Sequence, residues 1–334
     1  MEITAYRTGE LRPGLLKALC ARVYAAHPAY AEALAAELEH QLAPGNPFLK
    51  RGSRENFAVM KNGELLAHAC AITDPRLPAG AGLVGYFEAA AAGAARLALW
   101  AACSALSGKG AKTAYGPVND TIWHRYGAVI EASLPPYHGE PFTPPEYGAW
   151  FRETGFKPVD TRLSATIPSG LEPFEAYGES RAALEARGFV FSELGAADLP
   201  RRAGDIHALA GAVFGGSPLF VPAGLDEFLY SAGAKAGGSR LVLASDSAGR
   251  PAAFLWGLPD ALSEGRNFIF KTIAVLPEHQ GRGLGKALFS VMSSAARAEH
   301  YIFSTMRSGN SGIKALASRG SAPYREYLTF GREL

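Results

Sequence analysis

The same order of predicted secondary-structure elements occurs twice along this chain. Residues 13–40 have an alanine-rich helical pattern, and residues 56–73 form two strand-like runs on either side of Asn62-Gly63, a dipeptide typical of β-hairpins. An apolar strand, a long helical pattern and a further strand follow over residues 83–119. A strand–helix–strand segment that comes after a hairpin predicts a mixed sheet flanked by helices, which is an α/β (α+β) fold.

The second half of the chain repeats this order at an offset of about 185 residues. Helical sequence over 200–235 precedes two strand-like runs over 239–257, and the strand 267–275, the helical pattern 283–299 and the strand 301–310 come next. Sequence identity between the halves is low, so the repeat is one of element order. We therefore expect two copies of one fold.

The length of the chain also fits two domains. It has 334 residues, and single domains commonly contain ~100–200. Residues 166–182 are rich in proline, glycine and serine, which is typical of a connection between domains. The sequence predicts a first domain over 1–168, a linker over 169–185 and a second domain over 186–334.

Composition excludes several classes of protein. Hydrophobic residues make up 48% of the chain and charged residues 19%, a balance that supports packed cores and excludes global disorder. The formal net charge is +2 and no run of basic residues occurs, so nucleic acid is not a predicted partner. Cys20, Cys70 and Cys103 have neither paired nor metal-ligand spacing, which predicts reduced thiols in a cytoplasmic protein.

The apolar stretch over residues 89–107 is the one segment that resembles a membrane span. Arg96 lies near its middle, Glu88 precedes it, and its many alanines contribute little transfer free energy. We expect a buried helix here and no membrane partner. The first residues also lack the basic start and apolar run of a signal peptide, in agreement with a cytoplasmic location.

A glycine-rich segment in the second half carries the strongest chemical signal. From Phe268 the sequence reads FIFKTIAVLPEHQGRGLGKALFSVM, in which a strand is followed by a glycine-rich turn and then by a helix. The predicted helix is apolar on one face, at Leu284, Ala287, Leu288, Val291, Met292 and Ala295. Glycines allow backbone N–H groups to converge on an anion, and a helix N-terminus favours negative charge. The segment therefore predicts an anion site.

The spacing of these glycines narrows the type of anion. The phosphate loop of mononucleotide-binding proteins needs Ser or Thr after its lysine, where this chain has Ala287 after Lys286. The dinucleotide fingerprint needs a third glycine at the position that Lys286 occupies. The pattern Q-x-x-G-x-G, which starts at Gln280 after a strand that ends in V-x-P, does fit. In this pattern the sequence resembles the GNAT superfamily of N-acyltransferases.

The resemblance implies two tandem GNAT-like domains, of which the second binds acetyl-CoA. The pyrophosphate of this cosubstrate would lie on the amides of the loop, and its pantetheine arm would pair with the end of the preceding strand. The residues implied in coenzyme binding are Ile273, Ala274, Val275, Gln280, Gly281, Arg282, Gly283, Leu284, Gly285, Lys286 and Asn310. In the first half, the strand LVGYFEA is followed by AAAAGAARL without such a loop, so the first copy is predicted to be degenerate.

The implied reaction moves an acyl group directly from a thioester to the amine of a small molecule or of a larger acceptor. It needs a base that takes a proton from the ammonium group and an acid that protonates the leaving thiolate. Relatives often use a carboxylate near the central strand and a tyrosine on the last helix. This chain instead has Lys271 and Thr272 on that strand and no tyrosine over 311–320. Tyr324 is the candidate acid, and Tyr327 is an alternative.

A dense group of polar and aromatic residues lies in the first half, over residues 116–147. Its prolines predict a long, fixed loop, and loops of this length often carry function. We expect it to line the acceptor site, with substrate contacts at Asn119, Trp123, Tyr126 and Tyr137 and with Glu140 or His138 as the base. The alternative is a proline-braced loop that packs one half on the other.

Other chemistry finds no support in the sequence. The eight histidines have no metal-ligand spacing, so no metal is expected, and the G-x-S-x-G elbow of serine hydrolases does not occur. The predicted function is an acetyl-CoA-dependent N-acetyltransferase that acts as a monomer or homodimer. The alternative is a non-catalytic sensor that binds an acyl-CoA without transferring its acyl group.

Overall fold

A computed structural model describes residues 1–131, 134–168, 177–195, 197–233, 238–308 and 322–334. Its helices are α1 (Leu15–Val23), α2 (Pro28–Gln41), α3 (Ala92–Gly108), α4 (Glu146–Glu153), α5 (Gly178–Glu185), α6 (Leu199–Phe214), α7 (Leu225–Gly233) and α8 (Leu284–Ala295). Its strands are β1 (Glu2–Tyr6), β2 (Ser53–Lys61), β3 (Glu64–Thr73), β4 (Ala81–Ala89), β5 (Thr113–Gly116), β6 (Ala128–Val129), β7 (Lys157–Pro168), β8 (Val190–Leu194), β9 (Arg240–Ser245), β10 (Pro251–Pro259), β11 (Asn267–Val275), β12 (His300–Arg307) and β13 (Ala322–Glu333).

The chain forms two compact units that are not consecutive in sequence. The first unit contains Met1–Arg162, Pro218–Ser231 and Arg325–Leu334, and the second contains Leu163–Ser217 and Ala232–Tyr324. Most of helix α7 and of strand β13 therefore belongs to the first unit, although both lie in the C-terminal half of the sequence.

The first unit has a mixed sheet with the strand order β1-β2-β3-β4-β5-β13. Strands β2 and β3 form the predicted hairpin, and both residues of its Asn62-Gly63 turn have positive φ, at 53° and 80°. Strands β4 and β5 are parallel, while β2, β3 and β4 pair antiparallel. The predicted combination of an antiparallel hairpin with a parallel strand pair is thus confirmed in this unit.

Helix α3 covers one face of this first sheet. Its buried side is built mainly of alanines, with Leu99 and Leu106 among them, and small side chains let the helix lie close to the strands. Arg96 lies on the exposed side and pairs with Glu153 at 3.1 Å. The predicted buried helix is confirmed. Within the described ranges, no helix is both long and apolar enough to cross a membrane.

The second unit has a sheet with the strand order β8-β9-β10-β11-β12. Strands β8 to β11 pair antiparallel, and β11 and β12 are parallel. The predicted apolar face of α8 is buried against Phe268 and Phe270, through Leu284, Ala287, Leu288, Val291 and Met292. The helix ends at Ala295, before the predicted limit of 299, because Ala296 leaves the helical conformation with φ −128° and ψ 80°.

All three cysteines are free and buried, as the absence of paired spacing predicted. Burial raises the pKa of the Cys103 thiol to about 11, and it raises the pKa values of Cys20 and Cys70 still further. Because the thiolate is the reactive form, these side chains are poor nucleophiles in the folded protein.

Candidate functional site

The glycine-rich loop joins β11 to α8 over residues 276–283. After a short turn over Pro277–His279, Gly281 and Gly283 adopt φ values of 73° and 90°, a region that glycine enters without steric cost. Gly283 is the N-cap of α8 and, having no side chain, leaves the N–H groups of the first turn without the usual cap. These N–H groups and the helix dipole are available to an anion.

Polar and cationic side chains surround this loop. Gln280 folds back on the strand, and its Nε2 donates to the carbonyl oxygen of Val275 at 3.1 Å. Arg282 and Lys286 are exposed, and the Lys286 Nζ lies 5.9 Å from the centroid of the Tyr177 ring. Two cations beside an uncapped helix start suit a pyrophosphate, which carries negative charge on several oxygens.

Strand β11 has a β-bulge just before the loop. Trp256 of β10 faces Thr272, whereas the next residue, Gly257, faces Phe270, so Lys271 is the extra residue on β11. A Cβ at Gly257 would lie 2.4 Å from the Phe268 ring, so only glycine fits at this irregular pair. Beyond the bulge, the predicted binding residues Ile273, Ala274 and Val275 are paired with β10.

The parallel strands β11 and β12 separate at the same point. They pair only from Asn267 to Phe270. The backbone N–H of Thr305 on β12 instead donates to Ser164 Oγ at 3.2 Å, and Thr305 has a φ of 45°, which is unusual for a β-branched residue. Among the described residues, β11 beyond its bulge therefore has a strand partner on the β10 side alone. An extended ligand could pair with the open edge as an added strand.

Part of the predicted binding and catalytic set cannot be located in the structure. Asn310 and the predicted last helix over 311–320 lie outside the described residues. Tyr324 is half-buried on β13 and belongs to the second unit. Its role as an acid stays a prediction.

The first unit has the same strand pair without the loop. Strand β4 pairs in parallel with β5 from Ala81 to Leu83, and Tyr86, with a φ of 53°, lies in an irregular part of β4. Only Ala90 and Ala91 separate β4 from α3. This connection is too short for a glycine-rich turn like that before α8, in line with the prediction of a degenerate first copy.

Beyond Leu83, where its pairing with β5 ends, β4 has a gap beside it that the chain itself fills. Strand β5 ends at Gly116, before a proline that cannot donate to a ladder, and the following residues lie along β4. The N–H of Val118 donates to the Val84 oxygen at 3.0 Å, and Asn119 Oδ1 accepts from the N–H of Tyr86 at 2.6 Å. A Cβ at Gly85 would lie 2.2 Å from the Val118 oxygen, so this approach requires glycine.

Asp120 anchors this filling segment, which we define as residues 118–120. Its carboxylate accepts from Arg54 Nε at 2.8 Å and from the Tyr86 hydroxyl at 2.6 Å. The side chains of Arg54 and Asp120 are both fully buried. Burial alone would raise the pKa of Asp120, but the Arg54 guanidinium outweighs it and holds that pKa below its ordinary value. The segment is thus fastened by a paired buried charge.

Glu140 lies in a buried polar cluster of the first unit. Its carboxylate has no exposed surface, accepts from the Tyr137 N–H at 3.0 Å, pairs with Arg325 Nε at 3.1 Å and accepts a short hydrogen bond from the Tyr327 hydroxyl. Burial raises the pKa of Glu140, and Arg325 and Tyr327 oppose that rise without cancelling it. Sequence reasoning did not foresee this use of Arg325 and Tyr327, because the strand that carries them is remote in sequence.

The other residues predicted in the acceptor loop are spread along it. Tyr137 is buried, His138 is half-buried, and Tyr126 lies under Arg162, with 4.5 Å from the guanidinium carbon to the ring centroid. Trp123 packs edge-on against Phe220 and Phe228, each at 6.3 Å between ring centroids. Asn119, as described, holds the backbone of β4.

Glu88 is a second buried carboxylate that the sequence analysis did not select. Its Oε2 accepts from the hydroxyls of Tyr24 and Tyr147, at 2.8 and 2.9 Å. Burial raises the pKa of Glu88 to about 7, although both tyrosines lower it. A lone carboxylate inside the apolar strand LVGYFEA is the sequence signal that could have indicated it.

Over the described ranges, no cluster of side chains has the makeup of a metal site.

Comparison with known proteins agrees with the architecture. Residues 217–320 match the family model described as Acetyltransferase (GNAT) family. A search of the curated proteins finds no match. Among solved structures, a tandem GNAT protein from the clavulanic acid biosynthesis pathway has 15% sequence identity and a TM-score of 0.63, with 99% of this chain and 98% of that chain covered.

Two further solved structures are similar to this chain over 99% of its length. A GCN5-related N-acetyltransferase from Sphaerobacter thermophilus has 14% identity and a TM-score of 0.55, over 99% of this chain and 95% of that one. A GCN5-related glucosamine N-acetyltransferase region of a fungal multi-domain β-N-acetylglucosaminidase has 12% identity and a TM-score of 0.62. The match covers 99% of this chain and 38% of the fungal one. At these identities the likeness is one of fold.

Proposed function

We propose that this chain transfers an acetyl group from acetyl-CoA to an amine. Residues 217–320 match the model of the GNAT acetyltransferase family, and the chain is similar in fold to a tandem GNAT protein over 99% of its length. The observation that carries the proposal is the combination of an uncapped, glycine-rich helix start with a bulged strand whose edge is open among the residues that the structure describes. A phosphate-binding end and an extended strand edge lie next to each other in sequence, as a long ligand with a pyrophosphate and an amide-containing arm requires.

The residues of the second unit have distinct roles in this proposal. Backbone N–H groups from Gln280 to Gly285 hold the pyrophosphate, with Arg282 and Lys286 as neighbouring cations. The backbone from Ile273 to Val275 pairs with the pantetheine arm and places the thioester beside the bulge. Direct attack of the amine nitrogen on the thioester carbonyl then forms the C–N bond, breaks the C–S bond and releases coenzyme A.

Proton transfer requires a base for the ammonium group and an acid for the thiolate. Tyr324 is the proposed acid. Of the two candidates for the base, His138 reaches solvent, whereas the Glu140 carboxylate has no exposed surface and is already bound by Arg325 and Tyr327. We therefore place the base at His138 and assign to Glu140 the task of holding the loop that carries it.

His138→Gln is expected to lower turnover about a hundredfold while coenzyme binding is retained, because loss of a general base commonly costs 10²–10⁴-fold. His300→Gln, at the exposed start of β12, is the matched control. Turnover is measured as thiol release, and coenzyme binding as thermal stabilisation. Full turnover in His138→Gln, together with a loss in a folded Glu140→Gln, would move the base to Glu140.

The decisive test of the function is thiol release from acetyl-CoA across a panel of amines. The three buried cysteines give little background with a thiol reagent, since the pKa values of their thiols are raised. Amine-dependent release with a matching acetylated product supports the enzyme. Stabilisation by the coenzyme with no release across the panel supports instead a sensor that binds an acyl-CoA without transfer.

Each chain is expected to bind one coenzyme molecule. The gap beside β4 is filled by residues 118–120, and the connection from β4 to α3 has no glycine turn, so the described part of the first unit offers no second site of this kind. Isothermal titration with coenzyme A measures the stoichiometry directly. Two molecules per chain would show that the filling segment yields to the ligand.

A further inference from the structure

A histidine and a serine of the first unit form a close polar pair outside the proposed coenzyme site. Ser231 lies on α7, in the segment that belongs to the first unit, and His124 lies in the loop after the filling segment. The His124 Nε2 and the Ser231 Oγ are 2.7 Å apart. The His124 side chain is 6% exposed, whereas Ser231 is half-buried and keeps contact with solvent.

The surroundings of the His124 ring determine which nitrogen carries the proton. Nδ1 lies 3.1 Å from the backbone oxygen of Asn119, which can only accept a hydrogen bond. In the neutral ring Nδ1 therefore carries the hydrogen, and Nε2 presents a lone pair to the Ser231 hydroxyl. This is the orientation in which an imidazole serves as a general base for a serine.

A buried carboxylate lies behind the same ring. Asp120 Oδ2 is 3.6 Å from Nδ1, too long for a hydrogen bond but close enough to stabilise a positive imidazole. Arg54 keeps this carboxylate ionised, as described above. The arrangement is that of a nucleophile, a base and two orienting groups. The serine hydroxyl faces the histidine, and the Asn119 backbone oxygen and the Asp120 carboxylate lie beside the other ring nitrogen.

The pair is not needed to attach α7 to the first unit. Asp226 on α7 bonds to Lys50 and Arg51, each at 3.0 Å, and Glu227 pairs with Arg76 at 2.8 Å. The Tyr230 hydroxyl also donates to the His40 oxygen at 2.7 Å. A serine that only fastens the helix could bond to either histidine tautomer. Here the Asn119 backbone oxygen fixes the tautomer in which Nε2 accepts from the serine.

We propose that Ser231 is a nucleophile toward activated acyl esters, with His124 as its base and Asp120 as a positioning residue. The Ser231 oxygen attacks the acyl carbon, its proton passes to His124 Nε2, and the bond from the acyl carbon to the leaving oxygen breaks as that oxygen takes the proton. Trp123, next to His124 in sequence, packs against Phe228, which lies one turn before Ser231 on α7, with 6.3 Å between the ring centroids. This site is independent of the proposed acetyltransferase activity.

The test uses the full chain with a fluorophosphonate probe and with p-nitrophenyl acetate. The fluorophosphonate forms an Oγ–P bond and releases fluoride, and peptide mass spectrometry locates the adduct. We expect one adduct, on Ser231, and a burst of p-nitrophenol that approaches one per chain. An unlabelled native protein, or a label on another residue, overturns the proposal without any variant.

Variants separate chemistry from folding. Ser231→Ala is expected to abolish labelling, and His124→Gln to slow it about a hundredfold, the usual loss on removal of a general base. The matched control is Ser107→Ala, which should label like the parent. Ser107 is exposed in the last turn of α3, and among the described residues the structure shows no hydrogen bond from it to a histidine. Unchanged labelling in a folded His124→Gln would reduce the pair to a structural contact. Acetyltransferase turnover, measured in parallel, is expected to persist in Ser231→Ala.

Discussion

Replacement of Gly283 by tryptophan is expected to abolish stabilisation of the protein by coenzyme A. At a hundredfold excess over the dissociation constant, a ligand that binds only the folded state stabilises it by ~2.7 kcal/mol. Gly283 is the N-cap of α8, and a Cβ there would already lie 3.6 Å from Ser180 Cβ, so a large side chain crowds the helix start at which the anion is expected to bind. Thermal unfolding with and without coenzyme A measures the effect.

The matched control for this variant is Gly249→Trp. Gly249 has a φ of 77° in the hairpin between β9 and β10, and a side chain there would meet no atom within 4 Å. Both variants therefore place a non-glycine residue in a left-handed conformation, which costs about 1–2 kcal/mol in each. Gly249→Trp should keep the full stabilisation by coenzyme A. A retained shift in Gly283→Trp would mean that the ligand binds elsewhere.

Replacement of Glu88 by glutamine is expected to stabilise the protein above neutral pH by about 3 kcal/mol relative to the parent. Burial raises the pKa of Glu88 in the folded state to about 7, from 4.5 in the unfolded chain. The folded state therefore holds an extra proton between these values, and the parent loses stability as the pH rises from about 4.5 to about 7. Glutamine has no charge to bury and can still accept from Tyr24 and Tyr147.

The measurement is the difference in unfolding free energy between parent and variant from pH 4 to pH 9. Taking the difference cancels other titrating groups, among them His68, where burial lowers the pKa to about 4 and so gives a slope of opposite sign below pH 6.5. Glu39→Gln, which removes a carboxylate at an exposed position of α2, is the matched control. A pH-independent difference for Glu88→Gln would contradict the raised pKa.

Sequence reasoning reached the parts of the site that depend on neighbours along the chain. The glycine turn, the apolar face of α8 and the end of β11 all lie between residues 267 and 295, and their spacing predicts the backbone directly. The strand β5 and helix α8 end earlier than predicted. Pro117 and the non-helical conformation of Ala296 account for these limits.

Contacts between remote segments could not be read in the same way. Glu140 was selected from its crowded neighbourhood, but its partners Arg325 and Tyr327 follow it by more than half of the chain. The filling of the gap beside β4 by Val118 and Asn119 depends on where β5 stops and on the absence of a side chain at Gly85. Neither feature has a local periodicity.

The sequence by itself determined that the element order occurs twice and that one copy alone has a glycine turn before its long helix. Those properties follow from hydrophobic periodicity and from the conformational freedom of glycine, which act over a few residues. The tertiary structure alone decided that residues 218–231 and 325–334 join the first unit and that the gap in that unit is closed. It also brought Ser231 to His124, because such pairings depend on which distant surfaces bury charge and apolar area together.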